Sequence, residues 1–282
     1  MKNYFASQTS YEFGNPFPPY QAPLSRLEFS LNTPWIGMEL RRNFPRFSTG
    51  IEVSTNASRR VAGANKDSDW EDDANPGALS IYSESASRMG RSYIVRGDVD
   101  LKISDWMGLP ERIDVRPVAG FRWQRFSLVS HDGTQYYPSS GGAIPPDTLA
   151  GDGIQFEQTY LQYFLGMRAA YDAGGFVHRI KLYTQLDLAS VVGNNEDRHL
   201  LRAGNRITYD HTRGDAWHAL VGLQYGLTQN LSLRLEADYL RIRTSGTHRL
   251  VNDLFNVDFS TGYAVNVWSE QSYLSLGLDY GF

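Results

Sequence analysis

The stretch at residues 273–282, YLSLGLDYGF, decides the fold that the sequence predicts. Its apolar residues fall on every second position, from Leu274 to Phe282, with Ser, Gly and Asp interspersed. A period of two gives a β-strand one apolar face and one face that tolerates polar side chains. The stretch therefore predicts a strand that lies with one side against an apolar environment.

The same alternation recurs upstream, in LSLRLEADY (231–239), WHALVGLQYGL (217–227) and YIVRGDVDLKI (93–103). The connections between such stretches differ in length. Tight turns are expected at 43–45, 109–111, 172–175 and 228–230, and long polar segments at roughly 57–90, 130–152, 190–206 and 244–265. Short turns at one end and long loops at the other are typical of an outer-membrane barrel. A secreted β-sandwich is the minor alternative.

We therefore predict an all-β fold, a ten-stranded antiparallel transmembrane β-barrel with long extracellular loops and short periplasmic turns. The barrel is expected as one domain over residues 1–282, in the bacterial outer membrane. A terminal Phe after alternating apolar residues resembles the last strand that outer-membrane proteins present for assembly. The predicted strands lie near 3–13, 24–42, 46–57, 91–106, 112–129, 154–171, 176–191, 206–228, 231–244 and 264–282.

Composition narrows the possible functions. The formal net charge is -4 and the pI is near 5.9, which suggests no general affinity for nucleic acid. The chain contains no cysteine, which excludes a disulfide framework and a cysteine nucleophile. The predicted inward positions carry both signs of charge, as in Arg96, Asp98, Asp100 and Lys102. Interleaved charges of this kind predict an ion-paired plug rather than a selective pore.

Two short motifs in the predicted loops bear the candidate chemistry, Asp67-Ser68-Asp69 and Asp197-Arg198-His199. In extended chain, residues i and i+2 project from the same face about 7 Å apart. If both motifs face the barrel mouth, two carboxylates confront an Asp–His pair. Such a set suits water activation, because the His takes the proton and the Asp orients and stabilises the imidazolium. The motifs are compatible with a hydrolase and specify no substrate.

Two simpler interpretations of the acidic stretch KDSDWEDDANPG (66–77) remain possible at this point. The stretch could be a solvated acidic loop, which is common, or it could bind calcium. An EF-hand would require Gly and Glu where Asp72 and Ala78 stand, so only an irregular cation site remains. No H-E-x-x-H spacing occurs, and we predict no metal.

The surroundings of both motifs resemble the omptins, the ten-stranded outer-membrane proteases of Gram-negative bacteria. The first segment resembles an omptin segment with D-x-D-W, a further Asp and N-P-G. The second resembles the omptin Asp–His pair followed by G-x-R-I-T-Y. The strand and loop plan agrees along nearly the whole chain. The matched residues are Asp67, Asp69, Trp70, Asp72, Asn75, Pro76, Gly77, Asp197, His199, Gly204, Arg206, Ile207, Thr208 and Tyr209.

The resemblance implies peptide-bond hydrolysis at the extracellular mouth without a metal or another cofactor. By resemblance, Asp197 and His199 are the dyad that activates water, and Asp67 and Asp69 are the facing carboxylate couple. A non-proteolytic adhesin on the same barrel is the alternative. A lipid-modifying enzyme is a third, less favoured reading, because its catalytic groups would have to lie near the membrane plane.

The sequence departs from the omptin pattern at the substrate pocket. Omptins cut next to basic residues, which acidic pocket residues select. The matching positions here are Asn195, with Glu196 beside it, and Ile81, so the dibasic preference is not expected to carry over unchanged. The first predicted extracellular loop, at 14–23, is also short.

The resemblance also implies that lipopolysaccharide is a partner and an activator, bound by basic residues on the outer wall. Arg125 matches one such residue, and Arg213 is a candidate for another. Strand parity places Arg125 on the lipid side, on the face of Phe121 and Trp123. The expected partners are therefore lipopolysaccharide and extracellular peptides or proteins, with no nucleic acid, and the expected state is a monomer.

Overall fold

Thirteen strand segments and one short 3-10 turn make up the part of the chain described by the structure, a computed structural model. The described residues are 1–14, 23–174, 180–204 and 206–281. Most of the predicted first loop (14–23), the start of the strand predicted at 176, and Phe282 lie outside them. The segments are β1 (Lys2–Phe13), β2 (Ser25–Ser30), β3 (Pro34–Asn43), β4 (Phe47–Asn56), β5 (Asn65–Asp69), β6 (Ile81–Met89), β7 (Tyr93–Leu101), β8 (Ile113–Tyr136), β9 (Asp147–Asp172), β10 (Ile180–His199), β11 (Arg206–Gly226), β12 (Leu231–Asn252) and β13 (Val257–Tyr280), with the 3-10 turn at Pro138–Ser140.

The segments close into a ring of antiparallel sheet. Each long strand from β8 to β13 pairs with its neighbours in sequence, and β13 pairs with β1. Three barrel strands are each divided in two, as β2 with β3, β4 with β5 and β6 with β7. Counting each divided strand once gives ten, so the predicted ten-stranded antiparallel barrel is confirmed. No helix among the described residues is long and apolar enough to span a membrane.

The strands are longer than the sequence pattern predicted. β8 continues to Tyr136, β9 already begins at Asp147 and β10 continues to His199, all inside segments predicted as loops. The β10 extension pairs residue by residue with β9, and the β8 extension pairs with β9 through two register shifts near His131, so both remain in the sheet although their side chains are polar. Both candidate motifs consequently lie on strands, not on loops, and β5 falls within the predicted loop at 57–90.

A band of exposed apolar side chains encircles the lower part of the barrel, as a lipid-facing wall requires. Polar and charged residues replace it higher on the same strands. On β10, Leu188 is the last exposed large apolar residue, and His199 follows roughly 36 Å further along the strand. The band includes Ile36, Met38, Leu40, Phe47, Ile51, Val53, Val99, Leu101, Phe121, Tyr163, Leu165, Met167, Leu182, Leu186, Leu188, Trp217, Val221, Leu235, Leu274, Leu276, Leu278 and Tyr280.

Ion pairs fill the lumen at the level of this band. Asp100 pairs with Arg116 at 2.9 Å and with Arg168 at 2.5 Å. His218 bridges two carboxylates, with Asp187 at 2.7 Å from Nδ1 and Asp238 at 2.7 Å from Nε2. The predicted ion-paired plug is therefore confirmed. Above it lies a layer of buried rings, in which Phe29 and Phe156 stack with centroids 4.5 Å apart.

One side of the wall is interrupted at a single height, which we call the seam. The seam consists of residues 31–33 between β2 and β3, 57–64 between β4 and β5, and 90–92 between β6 and β7. On β1 the pairing register shifts at the same level, between Phe5 and Gln8. Isolated bridges join Asn32 to Ala62 and Arg60 to Arg88, and further backbone hydrogen bonds lie at this level, such as Ala57 N–H to the Pro34 carbonyl and Met89 N–H to the Arg59 carbonyl. The upper segments β2, β5 and β6 therefore form a small sheet above the main wall.

Candidate active site

The first two candidate residues lie on β5, in the small sheet above the seam. β5 pairs with β2 and β6, so that Asp67 stands opposite Leu27 and Ser83. Leu27 is 1% exposed, and Asp69 is itself buried at 6%. Alternate residues of a strand share a face, so both carboxylates project into the lumen, above the ring layer.

The other two candidates lie at the upper end of β10. His199 Nε2 is 3.3 Å from Asp197 Oδ2, and Asp197 is 1% exposed. The Tyr11 hydroxyl, from β1, donates a hydrogen bond to the same Asp197 oxygen. The Tyr11 hydroxyl therefore holds the Asp197 carboxylate in place from the side facing away from β10, the strand that carries Asp197. Asp197 Oδ1 is buried and has no hydrogen-bond partner within the described residues.

The two pairs influence each other electrostatically. Burial and the adjacent Asp69 carboxylate raise the pKa of Asp67 to about 7. Asp197 also raises the pKa of Asp67, while His199 and Arg202 lower it. Because Asp67 responds to both members of the Asp–His pair, β5 and β10 bring their polar groups to one site. Asp67 and Asp69 therefore share a site in which one carboxyl retains a proton near neutral pH.

The pKa of Asp197 is shifted in the opposite direction from that of Asp67. Burial acts to raise its pKa, but the charge and hydrogen bond of His199 and the hydrogen bond of Tyr11 outweigh burial and hold the pKa of Asp197 below its ordinary value. Two carboxyls in one site are thus held in different protonation states. Such divergence is a property of acid–base sites.

Three further residues complete the site: Arg206, Arg202 and Tyr11. Only Arg206 belongs to the sequence motifs that predicted the site. Arg206 is opposite His199 on β11. Burial and the neighbouring Arg202 lower the pKa of Arg206. Arg202 Nη2 lies 3.8 Å from Asp69 Oδ2. Tyr11 precedes Asp197 by 186 positions in sequence, and no local motif pointed to it.

The three predicted pocket residues do not all face the lumen. Asn195 is buried at 5% on the same face of β10 as Asp197, and Ile81 is opposite Asp69. Glu196 points to the other face, where it pairs with Arg198 at 2.5 Å. Glu196 therefore does not join Asn195 in the lumen, because a one-residue step on a strand reverses the face.

The two predicted lipid contacts lie on the outer wall but not together. Arg125 is on β8, where its Nη2 lies 2.9 Å from Glu157 Oε2. Arg213 is an exposed residue of β11, and β9 and β10 lie between the two strands.

The remaining acids of the opening loop have local roles. Asp72 Oδ1 accepts the amide of Ala74 at 2.9 Å and that of Asn75 at 3.3 Å, which fixes the turn after β5. Across the described ranges, no three His, Asp or Glu side chains are grouped in a way that could hold a metal ion.

Barrel, mouth and buried Asp–His pair together define an outer-membrane β-barrel protein with a polar site at one rim. A family model described as the omptin family matches residues 20–282, so the chain belongs to the omptin family. Membership places it among outer-membrane proteins of protease type. No curated protein matches the chain.

One solved structure agrees with this architecture, and a second is reported for comparison only. The outer membrane protease OmpT from Escherichia coli superposes with a TM-score of 0.83 at 16% identity, over 100% of this chain and 94% of that one. The translocator domain of the autotransporter NalP from Neisseria meningitidis gives a TM-score of 0.36 at 9% identity, over 100% and 88% of the two chains. At such identity the OmpT likeness establishes the fold, which is that of the predicted barrel.

Proposed function

We propose that this protein is an endopeptidase that hydrolyses peptide bonds at the extracellular mouth of the barrel. The observation that carries the proposal is the convergence of a proton-retaining carboxyl pair, Asp67 and Asp69, with the Asp197–His199 pair across the lumen. The family supports the same reaction class.

The proposed reaction begins with a water molecule between the two pairs. Asp197 faces Nε2 of His199, so Nδ1 is the nitrogen that accepts a proton in the neutral ring. As the water attacks the peptide carbonyl carbon, its proton passes to His199, and the ionised Asp197 stabilises the imidazolium. Collapse of the tetrahedral intermediate breaks the C–N bond, and His199 returns the proton to the leaving amine.

The carboxyl pair has a different task in this scheme. Asp67, which retains a proton near neutral pH, offers a donor, and the carboxyl oxygens of the pair offer acceptors, which orients the water opposite His199. Tyr11 keeps the Asp197 oxygen in place. Lumen-facing Asn195 and Ile81 are proposed to contact substrate side chains, and Glu196 lies outside that pocket.

Lipopolysaccharide enters the proposal as an activator held by the outer wall, and the proposed active unit is a monomer. Arg125 lies on the outer face of β8, about 40% exposed, above the apolar band. A phosphate there would compete with Glu157 for the guanidinium. Arg213 would contact a different part of the lipid layer, because two strands separate it from Arg125.

The test is cleavage of a peptide library by protein refolded in detergent, with and without added lipopolysaccharide. His199→Ala should reduce cleavage by at least about a thousandfold, because the general base is lost. His211→Ala is the matched control, since His211 lies on the outer face of β11, bonded to Asn194 at 2.8 Å. The control should retain activity. Equal cleavage by wild type and His199→Ala, with both folded as heat-modifiable barrels, would overturn the proposal.

A further inference from the structure

A second buried Asp–His pair lies next to the candidate site. His248, on β12, places Nδ1 at 2.7 Å from Asp210 Oδ1, and both side chains are at most 3% exposed. Asn195 donates its amide to the other Asp210 oxygen at 3.1 Å. Both carboxyl oxygens of Asp210 thus have a hydrogen-bond partner, and a lone buried charge there would be costly. The arrangement therefore fits an ion pair whose net charge is zero.

Two routes connect this pair to the Asp197–His199 dyad. The first runs through Asn195, which stands on the same face of β10 as Asp197, directly opposite Asp210. The second runs through rings, since Phe13 stacks on His248 with centroids 4.2 Å apart and on Tyr11 at 6.3 Å. Tyr11 donates to Asp197.

The field of Asp210 also reaches the dyad. Burial, followed by the Asp197 and Asp210 carboxylates, raises the pKa of the Tyr11 hydroxyl well above its ordinary value. Asp210 therefore acts on a group that is bonded directly to the dyad. A charge so placed influences the protonation of His199 unless a cation balances it.

We infer that Asp210 and His248 form a positioning pair, in which His248 balances the Asp210 charge and so sets the pH range in which His199 acts as a base. The inference rests on the proposed function, which it deepens. Removal of the cation leaves a second uncompensated carboxylate beside the dyad, and that carboxylate favours protonated His199. The enzyme then needs a higher pH to release the proton.

The electrostatic environment of His248 also depends on the residues of the strands packed around it. On β13, the buried residues at this end that pair with β12, Val265 and Val267, are uncharged. Arg249, next to His248, points outward and pairs with Asp258. Among the described residues, the ionisable groups on the lumen side are Tyr11 from β1, Asp67 and Asp69 from β5, Tyr160 from β9, Asp197 and His199 from β10, Arg202 from the β10–β11 connection, and Arg206 and Asp210 from β11.

The test compares pH–activity profiles on a cleaved library peptide. His248→Asn retains a donor at the position of Nδ1 and removes the charge. A unit charge on the order of 10 Å away, at an effective dielectric constant of about 20, moves a titration by about one pH unit. We expect the acidic limb to move up by about that amount in His248→Asn. The double variant Asp210→Asn/His248→Asn removes both charges, so its limb should return to the wild-type position.

The controls separate charge from packing and from the proposed function itself. His211→Asn, on the outer face, should leave the limb in place. A merely structural role for the pair predicts a double variant that is no better than the single one, with the limb unmoved in both, and that result overturns the inference. Failure of the proposed function would be visible earlier, as wild type that cleaves no library peptide.

Discussion

A single carboxyl, that of Asp67, links the chemistry of the site to the stability of the barrel. Its pKa is about 7 in the folded protein, against an ordinary value of 3.8. Between those two pH values the folded chain binds more protons than the unfolded chain. The free energy of unfolding must therefore fall as the pH rises through this window, by on the order of a few kcal/mol.

Asp67→Asn should lack that decline, because an amide has no proton to lose. Urea unfolding in micelles between pH 4 and pH 8 should show the largest advantage of the variant at the upper end. Asp73→Asn, a change in the exposed loop, is the matched control and should keep the wild-type slope. Parallel curves for wild type and Asp67→Asn would contradict the assigned protonation.

At the residue scale, sequence reasoning reaches only as far as the signal is local. Asp67 with Asp69, and Asp197 with His199, are each two positions apart, and strand geometry alone puts each pair on one face. Tyr11 and His248 could not be found in this way. Their partners, Asp197 and Asp210, come from other strands, and only the pairing register of the closed ring brings them together.

The strand elements on the two sides of the barrel differ in continuity, and this difference predicts a difference in local stability. β5 has 5 residues and joins the lower wall through the seam, whereas β10 runs for 20 residues from the apolar band to the dyad. Short strands with few buried neighbours open with little free energy.

Hydrogen exchange measured by mass spectrometry in detergent should detect the difference. Amides of β5 and β6 should exchange faster than those of the upper half of β10. β4, which lies below the seam on the same side, provides the internal control and should be protected like β10. Equal protection of β5 and upper β10 would show that the seam does not weaken the mouth.

Loop prediction failed at this same scale for a physical reason. Polar side chains on both faces of a strand resemble loop sequence, since alternation with apolar residues is the signal of a strand. Above the membrane neither face meets lipid, so β8 and β9 continue to pair, with register shifts near His131, without an apolar stripe. The turn signals at Asn43–Pro45 and Thr228–Asn230 were reliable, because backbone closure there depends on local chemistry.

At the scale of the whole molecule, the plug stabilises the barrel from inside. His218 contacts a carboxylate with each ring nitrogen and so joins Asp187 to Asp238. His218→Leu would leave Asp187 and Asp238 buried without this partner. The expected cost is about 3–5 kcal/mol in the free energy of unfolding.

Urea unfolding of the refolded barrel, read by heat-modifiable gel mobility, measures this cost. His211→Leu, on the same strand but on the outer face, should change the free energy of unfolding by less than about 0.5 kcal/mol. If the His218→Leu barrel were as stable as this control, the two carboxylates would have found other partners. The plug would then not require His218 to stabilise the barrel.

The seam also determines how the mouth can deform. Asp197 and His199 stand on one continuous strand that runs down into the lipid-embedded wall, while Asp67 and Asp69 stand on a five-residue strand that residues 57–64 separate from β4 below. A force that widens the cleft therefore displaces the carboxyl pair and leaves the histidine in register with the plug below. Any widening of the mouth would therefore be borne by one side of the barrel.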